Sequence, residues 1–309
     1  MSGSNVLFDV QGPRGRRLSL VLSIIAAVIL LAGIAWVIAI LAAPRESGGI
    51  TVPGMFAPSR WDIFADPRVW YRIWLGALAT LQAAAVAAVG AVALGIVFSL
   101  LRSASTAWIR IPTTVLLEFF RGMPVLLMML FILLVGSTGA FWAVVIALIV
   151  YNGALIGEAL RAGLAALPRG QREAGLSLGM RPLQSRMLIE FPQAFRQMLP
   201  IIVAQLVVLL KDTSLGYIVG YPELLRTTMN NLASLLGNRY LFSLFVVTLV
   251  IYLIMNLSLS WFARWLSRRT ASGGTRRGNR TGPPVDLDQA VLMAQATALA
   301  RSSESQAPR

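Results

Sequence analysis

Long runs without a single charged residue decide what this chain can fold into. Leu18–Ala43, Ile73–Leu101 and Gly122–Gly157 are uncharged throughout. About 20 apolar residues in a helix cross the roughly 30 Å hydrocarbon core of a bilayer. Lipid offers the backbone no hydrogen-bond partner, so runs that cross it must be helical. Gly122–Gly157 is too long for one crossing, and Gly136-Ser137-Thr138-Gly139 supplies a turn that splits it. The pattern predicts six spans, at about Leu18–Ala43, Ile73–Leu101, Ile111–Val135, Ala140–Leu160, Leu199–Val219 and Tyr240–Ala263. The first is longer than the ~7–15-residue apolar region of a secretory signal and lacks a small-x-small cleavage site, so it reads as an uncleaved anchor.

Charge placement then assigns sides. A net charge of +14 suggests nucleic acid, but the arginines sit between apolar runs and not along one polar face. Arg14, Arg16 and Arg17 precede the first span, and Arg102 and Arg110 follow the second. Arg161, Arg169, Arg172, Arg181, Arg186 and Arg196 fill the loop after the fourth. Arg264, Arg268, Arg269, Arg276, Arg277 and Arg280 follow the sixth. With six spans all four regions share one side, which the positive-inside rule makes the cytosol, with both termini there. Opposite lie Pro44–Arg72, whose four arginines are nearly offset by Glu46, Asp62 and Asp66, and the loop Tyr221–Arg239. Residues 267–309 read as a basic, mostly disordered tail that is weakly helical from Asp286 to Arg301.

Three absences remove classes of chemistry. Without Cys there is no thiolate or disulfide, and without His no Ser-His-Asp triad or imidazole metal site. The only lysine, Lys211, precedes Asp212, so no G-x-x-x-x-G-K-[ST] phosphate loop exists. The chain binds no cofactor by these routes and cannot hydrolyse ATP by the usual P-loop chemistry. An intramembrane enzyme is excluded on the same grounds.

Two places invite function. In the loop after the fourth span, Pro168 can open a helix and Gly179 close it. Pro182 starts a second short helix with Leu183, Met187 and Phe191 on one face, Pro192 ends it, and Pro200 marks entry to the fifth span. Such a pair makes a compact knob, which fits either an amphipathic connector on headgroups or a docking surface. The other place is the intramembrane charge. Lys211 and Asp212 point about 100° apart on a helix, with Thr213 and Ser214 extending the polar patch. They either line a translocation path or brace the bundle by pairing with Glu118 or Arg121, which are spaced to pair with each other. Glu158 and Arg161 share that spacing at a span end, and Gly153-x-x-x-Gly157 reads as close helix packing.

Four ordered motifs carry a resemblance. Glu173-Ala174-Gly175 with Gly179, then Phe191-Pro192-Gln193-Ala194, resembles the EAA loop of ABC-importer permeases. Leu209-Leu210-Lys211-Asp212-Thr213-Ser214-Leu215 resembles the polar amino-acid uptake branch. Glu118-Phe119-Phe120-Arg121-Gly122-Met123-Pro124 and Gly157-Glu158-Ala159-Leu160-Arg161 match upstream. The similarity covers about Tyr71 to Trp265, and Tyr151–Leu225 most resembles the second permease of glutamate importers. It departs at Gly175, where the family has a third alanine, at Met123, where a threonine is usual, and in the additional first span.

The resemblance implies an all-α integral membrane fold of six transmembrane helices, a five-helix MetI-like ABC permease core plus one extra N-terminal helix. The parts would be an arm at 1–17, the extra helix at 18–43, an extracytoplasmic loop at 44–70, the core at 71–266 with its coupling loop at 168–200, and the tail. It implies that Glu173, Ala174, Gly175, Gly179 and Pro192 serve docking of an ATPase. Glu118, Arg121, Lys211, Asp212, Thr213 and Ser214 would line the substrate pathway or gate. The partners implied are a cytosolic ABC ATPase dimer that uses ATP, a homologous permease or second copy, an extracellular substrate-binding protein and the bilayer of a bacterial cell membrane, with no nucleic acid. A motor-independent carrier or channel is the alternative.

Overall fold

The computed structural model describes residues 13–47, 50–104 and 106–271, so the expected tail helix at Asp286–Arg301 lies outside the described residues. α1 (Pro13–Ala42) is a single apolar helix whose membrane window is not buried against the rest of the described chain. It ends in a small antiparallel hairpin, β1 (Arg45–Ser47) with β2 (Ile50–Val52), in which Arg45 faces Val52. α2 (Pro67–Arg102) follows, its start fixed by Pro67 in the first turn and by the Asp66 carboxylate, which accepts from the Arg68 N–H at 2.8 Å.

The third expected span is not one straight helix. α3 (Ala107–Gly122) and α4 (Val125–Gly136) meet at 102°. Pro124 has no N–H to continue the helix and forces Met123 into extended backbone, at φ −85° and ψ 129°. α4, at 12 residues, is about 18 Å long and too short to cross alone. Five described helices are long and apolar enough to span, and the count reaches six when the bent pair is taken as one.

α5 (Ala140–Ala165) leads to α6 (Arg169–Ser177) and α7 (Pro182–Ser185). Here a second expectation fails: Pro192 does not end a helix, and Pro200, expected to mark the entry to the fifth span, lies inside the same helix. A wide turn at Arg186–Glu190, in which the Phe191 N–H donates to the Arg186 carbonyl, runs directly into α8 (Phe191–Asp212). The extra residue in that turn absorbs the hydrogen bond and the space that Pro192 would otherwise break. After a tight turn at Thr213–Tyr217 come α9 (Leu224–Arg226), another wide turn, α10 (Ala233–Leu236) and α11 (Leu241–Ala271). α11 therefore carries helix past residue 266, where the tail was expected to begin.

The core forms where α2 and α5 lie closest. A Cβ added at Gly157 would stand 2.9 Å from Phe98 Cβ, and one added at Gly95 would stand 2.7 Å from Ile156. These glycines let two backbones approach as small residues do in membrane helices, which is the packing expected of Gly153 and Gly157. Ala83, Ala87 and Ala91 of α2 extend the contact, with Leu148, Ile156 and Leu160 from α5 and Leu209 and Leu210 from α8. The bundle thus has two distinct ends. One gathers Arg102, Glu158 and the α6–α7 knob, which meets α2 where Arg186 donates to the Ser103 carbonyl. At the other, the buried Arg60 donates to the Pro53 carbonyl at 3.0 Å and the Arg239 carbonyl at 2.8 Å, joining the loops that precede α2 and α11.

Candidate functional site

The knob is held by backbone geometry. The Met180 N–H donates to the Gly175 carbonyl at 3.2 Å and the Gly179 N–H to the Leu176 carbonyl at 2.9 Å. That pair of bonds closes a helix with a left-handed residue after its cap, and Gly179 supplies it at φ +80°. α7 starts on the Arg181 N–H, which donates to Gln184 Oε1 at 3.0 Å. Gln193 of α8 donates to Gln171 of α6 at 3.2 Å, so Pro192 sits where the knob is tied to the long helix.

Gly175 is required by contact and not by conformation. A Cβ there would lie 2.6 Å from Ser185 Oγ and 3.0 Å from Ile189. Ser185 is buried and its hydroxyl reaches Glu190 Oε1 at 3.4 Å, so it has little room to yield. Gly175→Ala, which installs the family's usual residue, is expected to cost on the order of 1–3 kcal/mol by overpacking. Ser185→Gly in the same chain should recover most of that. A double-mutant cycle read by hydrogen exchange in α6 measures the coupling, and additive single effects would refute it.

Glu173, Ala174 and Gly179 are exposed on this frame. Beside them stands an apolar ridge: Leu178 is 80% exposed, and Leu176, Leu183 and Leu188 are exposed as well.

The intramembrane charges separate into two groups. Glu118 accepts from Arg121 at 3.1 Å and from Arg102 at 3.3 Å. Arg102 also pairs with Glu158, which takes Arg161 at 2.7 Å. Glu118 and Arg121 thus join the charged knot that ends α2, α3 and α5, with Arg121 Nε buried and without a hydrogen-bond partner among the described residues. They do not brace Lys211 or Asp212, which form no ion pair among the described residues. Lys211 is exposed in the last turn of α8, and Asp212 is half-buried beside it. Thr213 turns inward and donates to the Leu210 carbonyl at 2.7 Å, whereas Ser214 stays half-exposed and donates to the Lys211 carbonyl at 2.8 Å. Lys211 is exposed near the end of a candidate span, open to a partner chain, a cavity, a ligand or headgroups.

Sequence reasoning missed Glu223, which lies in the outer loop Tyr221–Arg239. It is fully buried. Its carboxylate accepts from the Tyr252 hydroxyl at 2.6 Å and from the Leu225 and Arg226 N–H groups, each at 2.7 Å. Thr80 of α2 accepts the Leu224 N–H at 3.0 Å, and the Tyr221 hydroxyl donates to the Ala79 carbonyl at 2.8 Å. Burial pushes the Glu223 carboxyl above its ordinary 4.5, against the Tyr252 hydroxyl, the two N–H bonds and the Arg226 charge, which lower it. The signal available was Tyr252, a hydroxyl within an apolar span that had to find a partner.

Comparison with known proteins gives a consistent set of likenesses. The family profile described as the binding-protein-dependent transport system inner membrane component matches residues 91–272. The chain is 34% identical to the glutamate transport system permease protein GluD of Corynebacterium glutamicum, over 77% of this chain and 89% of that one. It is 33% identical to the probable glutamine ABC transporter permease protein GlnP of Bacillus subtilis, over 64% of this chain and 93% of that one. Among solved structures, an amino acid ABC transporter with histidines matches at TM-score 0.59 and 28% identity, covering 65% of this chain and 95% of that one. The inward-facing MetNI methionine ABC transporter shares the fold at TM-score 0.57 and 18% identity, covering 66% of this chain and 99% of that one.

Proposed function

This chain belongs to the family of binding-protein-dependent transport system inner membrane components, and from that premise we propose how its knob and its exposed lysine are used. It is a multi-pass permease subunit of an ABC amino-acid importer and is not itself catalytic. The proposed cargo is a polar amino acid, glutamate first, as the printed names of its relatives suggest. A cytosolic ATPase dimer docks on the loop at 168–200, a sister permease or second copy completes the pathway, and a binding protein delivers cargo at the opposite end. Both chain termini are cytosolic, and alternating access follows ATP-dependent closure of the motor.

The observation that carries this reading is the knob: an apolar ridge left exposed on a frame fixed by Gly175, Gly179 and Gln193. A frame held by its own backbone and side-chain bonds presents that ridge in one fixed orientation, as a docking surface requires. The test is to co-purify the chain with its ATPase, reconstitute both in liposomes and measure amino-acid uptake. Uptake should require ATP. Uptake at the same rate without ATP would establish a motor-independent carrier instead.

A second expectation concerns cargo. A glutamate has one carboxylate more than a neutral amino acid, and a charge-assisted hydrogen bond to it contributes about 1.5–3 kcal/mol. Lys211→Ala or Arg121→Ala is therefore expected to lower glutamate uptake about tenfold or more with the complex still assembled. Normal uptake in both variants would remove these residues from the cargo path.

A further inference from the structure

At the end of the bundle that carries the knob lies a pocket of about 340 Å³, walled by Arg102, Arg110, Arg161, Arg172 and Arg186, with Glu190 as the one acid in its lining. Five guanidiniums converge there from α2, α3, α5, α6 and the wide turn before α8. A rule that places arginines on the cytosolic side accounts for their number on that side. It does not account for their meeting around one small volume, where like charges repel.

Three of the five have partners. Arg102 and Arg161 hold Glu158, Arg102 also holds Glu118, and Arg186 donates to the Ser103 carbonyl. Arg110 and Arg172 are exposed and make no ion pair among the described residues. Even after Glu118, Glu158 and Glu190 are counted, the lining keeps an excess of positive charge. Planar guanidinium forks match the paired oxygens of phosphates and carboxylates.

The rim says where the phosphate comes from. Arg110 lies on α3 between Ile109 and Ile111, both exposed, and two residues after Trp108, which is 90% exposed. A bare tryptophan flanked by aliphatics and an arginine is the composition of a helix end at headgroup depth. The α3 wall of the pocket therefore borders lipid, while its α6 wall is the knob itself, through Pro168 and Arg172. We propose that this pocket binds the phosphate of an anionic phospholipid headgroup from the adjoining leaflet, with Arg110 and Arg172 as its two uncommitted cations. A bound headgroup ties the knob to the α2–α3 corner, so the coupling surface is braced by the membrane it works beside. Binding stands apart from the proposed function, which supplies only the leaflet, the cytosolic one.

The experiment uses the assembled transporter with its ATPase. Native mass spectrometry measures Kd for phosphatidylglycerol and for phosphatidylcholine of the same acyl chains. Wild type should prefer phosphatidylglycerol, and R110Q/R172Q should weaken that lipid by about twenty- to thirtyfold, at about fivefold for each charge removed. R110K/R172K keeps the charges without the forks and should fall between wild type and R110Q/R172Q, which separates loss of binding from loss of fold. Inorganic phosphate bound through Arg110 and Arg172 while the two lipids bind equally would make solution the source and overturn the lipid assignment. Equal affinity for the two lipids in wild type, or no change in R110Q/R172Q, would overturn the proposal. Uptake without ATP would sink the coupling reading and leave these affinities untouched, so the two failures are distinguishable.

Discussion

Gly179→Trp is expected to bring ATP-driven uptake down to background while the chain still folds and reaches the membrane. The two halves of that expectation come from different features of one residue. At φ +80° a side chain costs about 1–2 kcal/mol of backbone strain, which a bundle of this size tolerates. No atom lies within 4 Å of where the Cβ would stand, so the side chain leaves the backbone into open space. Gly179 is exposed on the knob, so the indole adds bulk to the face on which the proposed motor would seat. Gly179→Asn provides the control, because asparagine accepts the left-handed region and adds little bulk; its uptake should stay near wild type. The measurement is uptake and ATPase rate together in proteoliposomes. A tryptophan variant that transports normally with fully stimulated ATPase would show that no motor seats on this knob.

Spans were legible because a charge-free run of more than 20 residues has one physical outcome in lipid. The α2–α5 packing was legible for the same kind of reason, since Gly153 and Gly157 have no chemistry to offer except closeness. What the residues concealed were departures from regular helix. Pro124 opens the uncharged run that starts at Gly122, and a span counted by length and hydropathy reads straight through the 102° bend. Pro192 looked like a terminator because the wide turn that absorbs it has no sequence signature of its own. At the site, local features were readable: the glycine cap at Gly179 and the spacing of Glu118 with Arg121. Long-range ones were not. That Glu118 shares Arg102 with Glu158, or that five arginines face one cavity, depends on how α2, α3 and α5 end beside one another.

Glu223 is the clearest case of long-range placement, and Glu223→Ala is expected to destabilise the protein by about 3 kcal/mol or more. The carboxylate ties the segment before α9 to α11 through Tyr252, and its neighbour Leu224 to α2 through Thr80. Alanine leaves two buried N–H groups and a hydroxyl without this acceptor, at about 1–3 kcal/mol for each group left unsatisfied. In detergent that corresponds to a fall in Tm on the order of 10 °C. Glu223→Gln should lie between, because an amide offers one oxygen where two N–H groups donate. The same residue predicts a pH dependence. Its carboxyl is raised in the folded protein, so its contribution is full below the unfolded value near 4.5 and is lost as pH rises through the shifted value. Wild type should therefore lose Tm across a window that opens near pH 4.5 and extends upward, relative to Glu223→Gln, whose side chain does not titrate. Parallel curves for the two would mean that the carboxyl titrates at the same pH folded and unfolded, its hydrogen bonds then fully offsetting its burial.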